Sequence, residues 1–141
     1  MPPYGAGGGF FIERNFMKVN CPLSYDENGN LEVLVSTGFG AGWSTWNAYG
    51  INLAVDKRII DFFKANLDPY DHLNQTVTDS KLNEFIHSIG YTGNFYFGGF
   101  YDCRIRKVSP GTMFKIREYD GAERIEVFDD SDWFTVKKQS E

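Results

Sequence analysis

Cysteine is scarce in this chain, with only Cys21 and Cys103 among 141 residues. Two cysteines make no disulfide framework, and the start lacks the basic and apolar pattern of a secretory signal. A reducing compartment, the cytoplasm, is the expected location. Long apolar runs are missing too: no stretch of about 18 apolar residues occurs, so no membrane span is expected. Positive charge is in deficit, since 14 Lys and Arg against 19 Asp and Glu leave a net charge of −5. That balance argues against general nucleic-acid binding, which draws its affinity from clustered cations. Histidine occurs twice, His72 in a loop and His87 flanking the apolar stripe of a helix, where it reads as a boundary residue. No His/Cys/Asp/Glu spacing fits a metal site and no nucleophile–base pair is visible. No metal, cofactor or catalytic residue is therefore expected, and an enzyme is disfavoured.

Aromatic residues and glycine are abundant instead: 13 Phe, 8 Tyr, 3 Trp and 15 Gly. This mixture favours sheets with tight connections, and the length suits a single domain. Met1–Phe16 reads as a flexible, glycine-rich leader. Glu13-Arg14-Asn15 is encodable as a purine-rich, ribosome-binding-like stretch, which makes Met17 the expected natural start of one domain over 17–141.

Within that domain, strands are predicted over 17–23 and 31–37, joined as a hairpin by the turn Asp26-Glu27-Asn28-Gly29-Asn30. A short strand is predicted over 51–55. A helix follows from Asp56 as cap to about Leu67. The loop 68–78 leads to a second helix, capped by Asp79 or Ser80, with Leu82, Phe85, Ile86 and Ile89 on one face. Gly90 ends it. Strands are predicted over 94–101, 103–108, 113–119 and 124–128, with an edge strand over 133–136. The Gly98-Gly99 break signals a bulge or a close backbone approach. The expected fold is α+β, with two helices packed on an antiparallel sheet of about five to seven strands.

The segment Ser36–Asn47 concentrates the functional signal. Gly38, Gly40 and Gly42 open backbone amides to close approach, Trp43 and Trp46 supply flat rings, and Ser36, Thr37 and Ser44 supply hydroxyls. Successive amides of this kind form anion nests, and rings of this kind stack on bases. The alternative is structural: glycines permitting a bulged connection, with tryptophans in the core. A second feature is charge segregation. Arg104, Arg106, Lys115 and Arg117 form a phosphate-binding patch if their strand faces coincide. Cross-strand pairing with Glu123 and Glu126 is the preferred reading of the same charges.

STGFGAGWSTWN over 36–47, the Asp56-Lys57 helix start, the Tyr119-Asp120-Gly121-Ala122-Glu123-Arg124-Ile125 hairpin and Asp130-Ser131-Asp132-Trp133 together resemble a signature of small bacteriophage and prophage proteins. The likeness spans roughly Met17 to Val136. It implies a phage origin and brings no particular activity with it.

The leading expectation is a phage accessory protein, acting in counter-defence in the host cytoplasm, that binds a small phosphorylated or nucleotide-like ligand without turnover. Ser36, Thr37, Gly38, Gly40, Gly42, Trp43, Ser44 and Trp46 would meet the ligand, with Arg104 and Arg106 on its phosphate. A homo-oligomer would cover exposed aromatics. The alternatives are a protein–protein inhibitor of a host factor, acting through the acidic and aromatic segment 118–133, and a virion or assembly component.

Overall fold

A computed structural model of the chain describes residues 10–12, 17–67, 77–128 and 136. The elements run β1 (Phe10–Ile12), β2 (Met17–Val19), β3 (Leu31–Ser36), α1 (Asn52–Val55), α2 (Lys57–Asn66), α3 (Asp79–Ser88), β4 (Cys103–Val108), β5 (Phe114–Tyr119) and β6 (Ala122–Val127). The class is α+β. The expected single sheet is corrected: the strands form three two-stranded ladders, β1–β2, β3–β4 and β5–β6.

Two local features break up the sheet. The strand predicted over 17–23 ends at Val19, short of Pro22, which has no N–H to give a ladder. The Pro22 carbonyl instead accepts from Lys57 N at 2.8 Å, and Leu23 bridges Asp56. The predicted hairpin shrinks to its turn, where Glu32 N donates to Ser24 O at 2.8 Å and Gly29 supplies φ +81°. The main partner of β3 is β4, in register from Leu31 opposite Val108 to Ser36 opposite Cys103. On the other edge of β3, Ser36 N donates to the Glu123 side chain at 2.8 Å, where a further strand would otherwise bond.

The β3–β4 ladder lies between two apolar clusters, which is why Val33, Leu34 and Val35 are all fully buried. Leu34 and Cys103 face Ile59, Ile60 and Phe63 of α2 and Leu82 and Ile86 of α3. Val33 and Val35 face Val19, Cys21, Ala54 and Val55, with Ile116 and Ile125 of the β5–β6 hairpin packed on them. Each such side chain contributes about 1.5–3 kcal/mol of burial free energy.

The two long helices follow the sequence pattern. Asp56 caps α2 by accepting from Arg58 N at 2.9 Å. The cap of α3 is Thr78, one residue ahead of the prediction, its hydroxyl accepting from Lys81 N. Gly90, at φ +105°, follows the end of α3. Two predicted strands are corrected. Residues 51–55 contain the one-turn helix α1, which buries Leu53, Ala54 and Val55 together; a short apolar run carries no period that separates strand from helix. Residues 94–101 are irregular and enter a 3-10 turn at Gly98–Asp102. The close approach predicted there is real: a Cβ on Gly99 would lie 2.1 Å from the Gly42 carbonyl oxygen. Such a contact admits only glycine. The last two strands turn through Asp120 and Gly121, at φ 49° and 88°, as a type I′ hairpin requires.

In the expected leader, Phe10–Ile12 pairs with β2; residues 1–9 and 13–16 lie outside the described set. So do 68–76, with His72, and 129–135, with Asp129, Asp130, Asp132, Trp133 and most of the predicted edge strand. Among the described residues no helix is long and apolar enough to cross a membrane, and no cluster of His, Cys, Asp and Glu is placed to hold a metal ion.

Candidate functional site

The glycine-aromatic loop does gather backbone amides around an anion, and the anion belongs to the chain. Alternation along β6 puts Glu123 on the same face as Ile125, turned into the fold and only 4% exposed. One carboxylate oxygen accepts from Ser36 N at 2.8 Å. The other accepts from Trp43 N at 3.0 Å, from Thr45 N at 3.0 Å and from the Thr45 hydroxyl. All four donors are neutral, and together they satisfy a buried charge that would otherwise be costly.

The hairpin turn completes the fastening. Gly40 N donates to Asp120 O, the Ser36 hydroxyl donates to Ala41 O at 2.8 Å, and Thr37 N donates to Asp102 O at 3.1 Å. A Cβ on Gly121 would sit 2.3 Å from Ala41 N, so the turn rests directly on the loop.

The two tryptophans part company. Trp43 is fully buried, edge-on to Phe100 at 5.0 Å, with its indole N–H donated to Leu53 O at 2.9 Å. Its ring is core and lies out of reach of solvent. Trp46 is 40% exposed. Ser44 and Gly42 are buried, Gly38 is half-buried, and Thr37 and Gly40 are exposed.

Arg104 and Arg106 share one face of β4, opposite Val35 and Val33. Arg104 donates to the Cys103 carbonyl at 2.9 Å. Lys115 and Arg117 belong to the separate β5–β6 ladder. Arg117 pairs with Glu126, as the cross-strand reading expected, while Glu123 takes the inward role instead. The four cations do not share a ladder.

What does come together on the surface is aromatic and acidic. Tyr96 is 50% exposed beside Trp46, and Phe39 at 72% and Tyr119 at 73% are exposed on the loop and the hairpin that the Gly40 N–Asp120 O bond joins. The Trp46 and Tyr96 rings lie 5.3 Å apart. Asn47 holds Tyr96 by both backbone groups, accepting from its N–H at 2.8 Å and donating to its carbonyl at 2.9 Å. Glu118 accepts from the Trp46 indole at 2.9 Å and from Gly121 N at 2.7 Å, and these two bonds hold its carboxyl below the usual range. Asp102 lies against Gly38.

Sequence reading missed Tyr96 and the inward role of Glu123; Glu118 was expected within the acidic segment and Asn47 within the loop, but not the bonds they make to Trp46 and Tyr96. One signal was present for Glu123: it stands one residue ahead of the strand predicted over 124–128, in step with Ile125, and an acid continuing that apolar face is a local conflict that calls for a buried partner.

A second buried carboxylate lies at the start of α2. Asp56, fully buried, pairs with Arg58 at 2.7 Å and accepts from the Tyr91 hydroxyl at 2.7 Å. Burial, and then the nearby Asp56, push the Cys21 thiol up to about 12. Cys103 is raised as well, by burial first and then by Glu123 and Asp102. Neither thiol has the depressed pKa that a nucleophile needs.

Compared with known protein families, curated proteins and solved structures, the chain matches none.

Proposed function

We propose that this chain is a non-enzymatic, phage-encoded accessory protein of the host cytoplasm that binds a partner protein. The contact is the face formed by Phe39, Trp46, Tyr96 and Tyr119 with Glu118, Asp120 and Asp102. One observation carries this reading. Glu123 and the hairpin turn clamp the loop that bears Phe39 and Trp46, and Asn47 of that loop holds the Tyr96 backbone, so these exposed aromatics are preorganised. Rigid aromatic anchors lose little entropy on binding and dominate interface energies.

The charge of the face selects the partner. Carboxylates between aromatic rings suit a surface rich in Arg and Lys, consistent with the net charge of −5. A second copy using the same face would oppose like charges across a two-fold axis, which disfavours self-association there. The acidic stretch expected to make the contact thus enters through Glu118, Tyr119 and Asp120; Asp129, Asp130, Asp132 and Trp133 lie outside the described residues. The small-ligand reading keeps Trp46 as an accessible ring, but Glu123 already takes the amides of Ser36, Trp43 and Thr45, and Asp120 O takes that of Gly40.

Capture from host lysate tests this. The tagged protein should retain one host protein at low salt and release it at high salt. A Glu118→Lys/Tyr119→Ala variant, altered only at exposed side chains, should lose that protein. Undiminished capture by the variant would overturn the assignment of the face. A thermal shift with mono-, di- or cyclic nucleotides would redirect the function to a small ligand. Recovery of the protein in purified particles would indicate a virion component.

A further inference from the structure

Trp46 and Tyr96 are unusual among the exposed rings because each rests on a glycine floor. A Cβ on Gly42 would meet the Trp46 ring at 2.5 Å, and one on Gly98 would meet the Tyr96 ring at 3.0 Å. The rings are tilted by 47° to one another. The Trp46 ring is tied at its edge through the indole N–H to Glu118, and the Tyr96 backbone is held on both sides by Asn47. Neither ring needs to be ordered by a ligand.

Glu118 is the charged wall of this corner. Its Oε2 already accepts from both the Trp46 indole and Gly121 N. Among the described residues its Oε1 accepts no hydrogen bond, and the side chain is exposed. A carboxylate oxygen with open lone pairs at the edge of the Trp46 indole, whose ring stands next to Tyr96, offers ion pairing close to cation–π attraction.

We propose that Trp46, Tyr96 and Glu118 form a receptor for a single arginine side chain of the partner. This rests on the protein-binding reading above and names its anchor. The guanidinium stacks on the indole while its N–H groups reach Glu118 Oε1. Arginine fits better than lysine because its cation is planar, weakly hydrated and able to stack and donate together.

The experiment uses the full chain and three blocked tripeptides, acetyl-Gly-X-Gly-amide with X as arginine, lysine or citrulline. Citrulline keeps the planar shape and lacks the charge. The indole N–H signal of Trp46, assigned by its absence in Trp46→Phe, is followed by NMR. The arginine peptide should shift it saturably, the lysine peptide should bind about three- to tenfold more weakly, and citrulline should leave it unmoved. Glu118→Gln should weaken the arginine peptide about tenfold. Substitution at position 118 touches an exposed side chain, and Glu84→Gln, an exposed carboxylate of α3 outside the receptor, serves as the control and should retain binding.

Equal response to arginine and citrulline, no response to arginine, or full affinity in Glu118→Gln would each overturn the arginine receptor. Loss of the receptor with lysate capture intact would leave the protein-binding function standing. Arginine-peptide binding without a captured partner would do the reverse, sinking the function while the receptor stood.

Discussion

Glu123 and Asp56 are both buried carboxylates, yet they are held in different ways. Asp56 sits beside a cation, with Arg58 two residues away in sequence and Tyr91 closing the set from the end of α3. Among the described residues Glu123 has no cation as a partner; its donors there are three amides and a hydroxyl, 78 to 87 residues distant. Asp56 starts a helix and joins it to its neighbours. Glu123 ties two segments that no ladder connects. A buried charge can thus serve local capping or distant fastening, and the choice of partner tells which.

The largest expected effect is at Asp56. Asp56→Ala leaves Arg58 without its carboxylate and removes the cap of α2, so a loss of about 3–5 kcal/mol is expected in urea unfolding. A loss below ~1 kcal/mol would show that the other partners of Arg58, the Ile89 carbonyl among them, hold it well enough and would erase the contrast.

Glu123→Gln comes next. A carboxamide keeps one acceptor oxygen and turns an N–H₂ toward donors, so about 2 kcal/mol should be lost. The two sites then diverge in function: Glu123→Gln should loosen the loop and weaken partner capture. Asp56→Asn should lower stability and leave capture unchanged below its unfolding temperature. Equal loss of capture in both would break the comparison.

Tyr91→Phe removes one bond to Asp56 and should cost about 1 kcal/mol, read by thermal unfolding. Acid offers a further measurement at a partly solvated carboxylate. Asp26 experiences some desolvation, but bonds from Asn30, Lys107 and Asn28 outweigh it and hold its carboxyl down to about 2. Its folded pKa is depressed, so its contribution is complete above the unfolded value of about 3.9 and is lost as pH falls toward 2. Asp26→Asn should therefore flatten the pH dependence of stability in that window. The smallest effect concerns the thiols: Cys21 and Cys103 should resist a colorimetric thiol reagent in the native protein and react fully in denaturant.

What could be read from the chain alone follows the range of each interaction. The cap at Asp56, the 82–85–86–89 stripe and the Asp120-Gly121 turn all rest on neighbours in sequence; Gly98-Gly99 signalled a close approach without naming its distant partner, Gly42. The extent of the sheet did not, because Pro22 and the Glu123 side chain end ladders that alternation alone would continue. The strand predicted over 94–101 failed for a related reason: a backbone contact with Gly42 outweighed aromatic β-propensity.

The amino-acid sequence by itself determined that the 36–47 segment carries open amides, hydroxyls and indoles at close spacing, since glycine spacing and side-chain chemistry are local properties. Tertiary structure alone decided which anion those amides would hold and which indole would face water. Glu123 reaches the loop from a strand some 80 residues away. Trp43 fills the core because Leu53 O accepts its N–H there, while Trp46 lies against Gly42 at the surface.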